Sequence, residues 1–224
     1  MKLKGLVSII LFFAINHGLW DYLVSAHQVS PEWASFYVYL VLAIVIGFVY
    51  RQRIVESFAA IKAELKKATF WIKRVILPML LGYGGVLLVT YLMSAVFDIN
   101  ILPQNTENIK EVQATIPFSL SLLMMAVFAP VIEEAVFREA FLGWVDSKNR
   151  PVSIGMTVLS IMVFAAMHVD LSNINNWASI LYYLPLSIAF AYIYIKNNRE
   201  LAATILAHSI TNFFAFILML VGML

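Results

Sequence analysis

Two adjacent carboxylates, Glu133 and Glu134, sit inside the apolar run from Pro117 to Trp144, and Arg138 follows four residues after the second. An ionisable group at bilayer depth costs roughly 2.5 to 3.5 kcal/mol even on lenient insertion scales, so such a cluster points to function. Two further polar sets interrupt later apolar segments: Phe164-Ala165-Ala166-Met167-His168 and His208-Ser209-Ile210-Thr211-Asn212. Helical spacing puts Glu134 and Arg138 on one face as a pair and turns Glu133 about 100° away, free for another task. It also places Phe164 one turn behind His168, and Asn212 one turn beyond His208.

A carboxylate and an imidazole that hold one water from two sides can align it and take its proton, which produces a nucleophile without serine or cysteine. An oxyanion formed on the attacked carbonyl would then need donors, and a histidine with an asparagine one turn away offers two. The same residues also permit a metal reading. Glu133, His168 and His208 form a two-nitrogen, one-oxygen set suited to catalytic zinc with an open position for water. No His-Glu-x-x-His element is present. The residues leave both chemistries open. With no cysteine in the chain, disulfides, thiolate nucleophiles and sulfur-ligated metals are excluded.

The elements that must position these groups are set by composition. The 224 residues are 62% apolar and 12% charged, with a mean hydropathy of +0.86. That describes an all-α, polytopic transmembrane helical bundle forming a single membrane domain over 1–224. Seven spans are expected, at Gly5 to Leu23, Trp33 to Val49, Val75 to Phe97, Pro117 to Trp144, Val152 to Val169, Ile180 to Ile195 and Leu201 to Leu224. A re-entrant or divided helix would change the count to six or eight. With the N-terminus cytoplasmic, every loop Lys and Arg except Lys110 falls on the inner side, so the positive-inside rule also places the C-terminus outside. Lys2 and Lys4 before an apolar stretch imitate a signal peptide, but Asn16, His17 and Asp21 interrupt it, and an uncleaved first span is expected.

Between the second and third spans, Ile54, Phe58, Ile61, Leu65 and Trp71 recur at helical spacing among lysines, which predicts an interfacial amphipathic helix on anionic lipid. The polar outer loop from Asp98 to Ile116 carries Asp98, Glu107 and Glu111. A net charge of +2 with basic residues distributed by topology gives no reason to expect a nucleic-acid partner; membrane lipids are the expected surroundings. Counted from the inner turns, Glu133, His168 and His208 lie about 22, 30 and 16 Å into the membrane. Helix tilt and a break at Pro130 could bring them to one level.

The ordered trio Glu-Glu-x-x-x-Arg, Phe-x-x-x-His and His-x-x-x-Asn resembles the CPBP family of intramembrane proteases. That family includes the type II CAAX prenyl endopeptidases and bacterial proteins linked to bacteriocin processing or self-immunity. The resemblance covers about Pro117 to Phe216 and makes 117–216 the expected catalytic core, with 1–116 supplying N-terminal spans and the amphipathic helix. Pro130, Phe137 and Arg138 fit the family context, although Glu139 stands where a glycine is common. The resemblance implies that Glu133 and His168 activate water, Glu134 and Arg138 hold the site in shape, and His208 with Asn212 stabilises the oxyanion. The implied substrate is a membrane-tethered peptide or protein, as in a prenylated C-terminus or a leader or bacteriocin-type peptide. The family has been described both as metal-dependent and as glutamate-type, so the implied cofactor is either none or zinc, with the metal-free version favoured because none of the implied roles needs an ion.

Two other classes remain. A proton-coupled transporter would use Glu133, His168 and His208 as a relay. A non-catalytic immunity or scaffold protein would keep the fold and bind a partner, although it would have no chemical need for the whole set. His17 and Asp21, also four apart, and the aromatics Trp20, Trp33, Tyr37, Trp71, Trp144 and Trp177 near span ends are read as structural.

Overall fold

The computed structural model describes residues 2–97, 104–146 and 148–221, and among them every regular element is helical. Among the described residues six helices are long and apolar enough to cross a membrane: α1 (Leu3–Ala26), α2 (Pro31–Ile61), α3 (Ala68–Val96), α5 (Phe118–Ala140), α7 (Asn176–Lys196) and α8 (Leu201–Leu220). The shorter apolar α6 (Arg150–Ala166) occupies the remaining expected span. The polar α4 (Gln104–Thr115) lies in the expected outer loop, whose Asp98 falls outside the described residues. Large apolar side chains such as Leu80, Leu87, Tyr91, Ile154 and Phe214 face outward, as a surface turned to lipid tails allows.

The amphipathic stretch expected over 54–71 is divided between two helices. On α2, Ala34, Val38, Leu42, Ile46, Tyr50, Ser57 and Ile61 form one buried stripe in steps of four or seven, so nothing in the pattern ends the helix at the membrane surface. Its 31 residues span about 46 Å, well beyond a hydrocarbon core of about 30 Å. The chain reverses in a tight turn over Glu64–Lys66, and Trp71 belongs to α3, its indole N–H donating to the Leu65 carbonyl at 2.8 Å.

The carboxylate-bearing α5 is the central helix. Of its apolar window 61% is buried, against 17–39% for the other five spans. Gly5 lets α1 approach it closely, since a Cβ there would lie 2.6 Å from the Ala140 carbonyl oxygen. Two widened π-type turns, Met124–Phe128 and Ala135–Ala140, flank the α-helical Ala129–Glu134. A smaller core of Phe36, Val112, Ile116, Met124, Met125 and Phe216 ties α4 to α2, α5 and α8.

At the lysine-rich end, α2 locks the bundle. The Ser57 hydroxyl oxygen accepts the Ala202 backbone N–H at 2.9 Å and so caps α8 from a neighbouring helix. Arg53 reaches Glu139 at 3.2 Å, Glu200 at 3.1 Å and the Arg199 carbonyl at 2.6 Å. Tyr194 donates to the same Glu139 at 2.8 Å, which gives that unusual glutamate two partners. Asn198 and Arg199 have φ of 56° and 63°, a left-handed turn that costs free energy unless its surroundings hold it. Arg199 is held by donating to the carbonyls of Leu142 and Val145 in the segment just after α5.

Arg53→Ala is therefore expected to lose about 1–3 kcal/mol of stability, the worth of charged hydrogen bonds that are partly exposed. Lys62→Ala, on the open turn, should stay within about 0.5 kcal/mol. Thermal unfolding in detergent checks the pair, and equal midpoints would contradict the lock.

Candidate active site

Adjacent positions on α5 give the two glutamates different surroundings, and both are buried. Glu134 faces a chain of charge. Its Oε1 accepts from His208 Nδ1 at 2.8 Å, and its Oε2 pairs with Arg138 Nε at 3.3 Å. The fully buried guanidinium also donates to the Ser187 carbonyl at 3.3 Å and lies 4.2 Å over the Phe164 ring. The expected Glu134–Arg138 pair is thus present, and His208 joins it as a third member that helical spacing alone did not assign.

Glu133 faces a cavity of about 230 Å³ lined by Tyr39, His168, His208 and Asn212, together with methionines from α5, α8 and the turn after α6. Its Oε2 is buried without a hydrogen-bond partner. That atom lies 4.0 Å from His168 Nε2 and 3.8 Å from His208 Nε2. The three groups expected at different depths therefore converge. His168 sits just beyond the end of α6.

His168 Nδ1 lies 2.7 Å from the Phe164 carbonyl. A carbonyl only accepts, so Nδ1 carries the proton and Nε2 of the neutral ring presents a lone pair to the cavity. The ring stacks on Tyr183 at 4.9 Å. Phe164 thereby explains its place in the motif: its carbonyl orients His168 while its ring covers Arg138 and touches the edge of His208. Just outside, Asp170 accepts from the Ser172 amide at 3.0 Å and hydroxyl at 2.6 Å, and these bonds hold its carboxyl below the usual carboxylate range.

Asn212 has a partner that spacing did not reveal. Its Nδ2 donates to the Met125 carbonyl at 2.9 Å. In the widened turn the Ala129 N–H bonds Met124 instead of Met125, and the next residue, Pro130, has no N–H to give. Asn212 fills that vacancy and fastens α8 to α5 beside the site. The second N–H of its amide is the one left for a ligand.

Two acceptors 4.0 Å apart match the spacing spanned by one water that donates to both at about 2.8 Å. Tetrahedral zinc with ligand bonds near 2.0–2.1 Å needs donor atoms roughly 3.3 Å apart, closer than these. Among the described residues no group of three or more His, Cys, Asp or Glu is disposed to hold a metal ion. As placed, the donors do not close on zinc. The residue sequence reasoning missed is Tyr39, whose hydroxyl donates to Glu133 Oε1 at 3.4 Å. Its spacing does not set it apart from Tyr37, two residues earlier on the same helix, so the sequence offered no signal for it. His17 and Asp21 remain on α1 and do not line the cavity.

Fold and site together define a polytopic helical membrane protein with a buried glutamate–histidine centre. Residues 115–214, which hold all three motifs, match the family model described as type II CAAX prenyl endopeptidase Rce1-like. Over that segment the family resemblance read from the motifs is borne out. The chain is also similar to a Bacillus subtilis (strain 168) protein named "Putative membrane peptidase YdiL", with 28% identity over 125 residues. That alignment covers 56% of this chain and 47% of the relative, so the match spans about half the relative's length. No solved structure matches the chain.

Removing one partner of a buried ion pair costs about 3–5 kcal/mol, and Arg138→Ala should lower the unfolding midpoint accordingly. Glu133→Gln deletes a charge whose Oε2 has no partner, so its midpoint should hold or rise. A fall in Glu133→Gln as deep as in Arg138→Ala would contradict the different surroundings assigned to the two glutamates.

Proposed function

We propose that this protein is an intramembrane endopeptidase that hydrolyses a peptide bond of a membrane-associated substrate with water activated by Glu133 and His168. The observation that carries the reading is Glu133 Oε2, buried, unpartnered and aimed at His168 Nε2 across a gap the size of one water. The family match over 115–214 supports it.

A water donating to both acceptors turns its lone pair toward a substrate carbonyl. As it attacks, its proton passes to Glu133, and His168 keeps the remaining O–H aligned. His208 is held through Nδ1 by Glu134, which aims Nε2 into the cavity, and to serve as an oxyanion donor the ring would carry a proton on both nitrogens. With the second Asn212 N–H it stabilises the oxyanion as the carbonyl opens. Glu133 then returns the proton to the leaving nitrogen. The substrate class is a membrane-tethered peptide, either a CAAX-type C-terminus or a leader or bacteriocin-type peptide. In this reading 117–216 is the catalytic core, 1–116 supports it, the N-terminus is cytoplasmic and the C-terminus lies outside.

Purified protein in liposomes, given membrane-tethered peptides, is expected to cleave them. Glu133→Gln and His168→Ala should each lower kcat about 10²- to 10⁴-fold, the usual worth of general acid–base groups. Exhaustive chelation should leave the rate unchanged. Loss on chelation with recovery on zinc would overturn the glutamate-type mechanism, and unchanged cleavage in both variants would remove the catalytic assignment.

A further inference from the structure

We infer that Tyr39 is a positioning residue for Glu133, supplied by α2 from outside the family-matched segment. This rests on the reading of Glu133 as the base. The terminal torsion of a glutamate is broad and roughly two-fold, so α5 alone does not decide which carboxylate oxygen faces the imidazoles. The Tyr39 hydroxyl decides it. It donates to Oε1 at 3.4 Å, and the other oxygen is left to face His168 and His208 at 4.0 and 3.8 Å. The contact is longer than an optimal O–H···O bond, as is common at catalytic groups before substrate binds and tightens them.

Chemistry favours a phenol at this place. It donates to the carboxylate without adding a cation beside Arg138 and the two histidines. A phenylalanine would leave Oε1 as unpartnered as Oε2 already is. Rigidity favours α2 as its carrier. The same continuous helix is fixed at its far end by Arg53 on Glu139 and Glu200 and by Ser57 on the first turn of α8. Tyr39 is therefore held in register with the two helices that carry Glu133 and His208. Ser35, one turn earlier on α2, lines the same cavity. The N-terminal half thus contributes a group to the site as well as a scaffold around it.

The test is Tyr39→Phe, which keeps the ring and deletes only the donor, with the exposed Tyr37→Phe as control. In liposomes kcat should fall about 10- to 100-fold, the worth of a hydrogen bond to a charged group, with KM within about twofold and Tyr37→Phe unchanged. The unfolding midpoint should not move. Infrared difference spectra should show the carboxylate band that disappears in Glu133→Gln shifted in Tyr39→Phe. An unshifted band, a change confined to KM, or a midpoint that falls in step with activity would overturn the proposal. If the wild-type protein cleaves no peptide, the proposed function fails, and the infrared band alone decides whether Tyr39 orients Glu133.

Discussion

The run of charge from Arg138 through Glu134 to His208 is the constraint on which the structure depends. In a low-dielectric interior an isolated guanidinium or carboxylate is too costly to keep, so each must be met by its neighbour. Arg138 meets Glu134 at 3.3 Å and Glu134 meets His208 at 2.8 Å. That chain joins α5 to α8 with a directed contact, and α7 is drawn in through the Ser187 carbonyl. Because His208 is fixed at Nδ1, its other nitrogen has only one direction to face, which is the cavity. Glu133, one residue before Glu134, is carried into the same cavity by the helix twist and left with an unpartnered oxygen. Neighbouring glutamates thus divide the work of holding the fold and presenting a reactive group.

The central helix is irregular where this chain needs room. Its two π-type turns bracket the glutamates, a placement frequent at functional sites because a widened turn redirects the side chains that follow. Pro130 adds a missing donor within the same stretch. Asn212 repairs that loss with its amide, so the third motif supports the first as well as completing the cavity. The α2 helix acts at both ends of the bundle: Arg53 and Ser57 fix its lysine-rich end, and Tyr39 meets Glu133.

Much of this was legible in the chain, and for identifiable reasons. Hydrophobic length marked all seven apolar segments, since a bilayer imposes a minimum span. Spacing placed Glu134 with Arg138 and set Glu133 apart, because the helix period fixes which residues share a face. What a period does not contain is the identity of the neighbouring helix. The contacts of Tyr39 with Glu133, of His208 with Glu134, and of Arg53 with Glu139 join residues 94, 74 and 86 positions apart. Each is set by packing. Asn212 looked like a free donor because its true partner, the Met125 carbonyl, becomes available only through the widened turn ahead of Pro130. In sequence the amphipathic stretch resembles one surface helix because its apolar positions continue the α2 period; the turn at Glu64–Lys66 that divides it carries no proline or glycine to announce it.

The central claim is that Glu133 and His168 hold a water between them as the nucleophile. A crystal structure at a resolution that reveals ordered solvent, with anomalous data collected at the zinc edge, tests it most directly. The account predicts a solvent peak about 2.8 Å from both Glu133 Oε2 and His168 Nε2, with no anomalous signal. An anomalous peak about 2.0–2.2 Å from Glu133, His168 and His208, or two side chains turned away from a common solvent site, would contradict it.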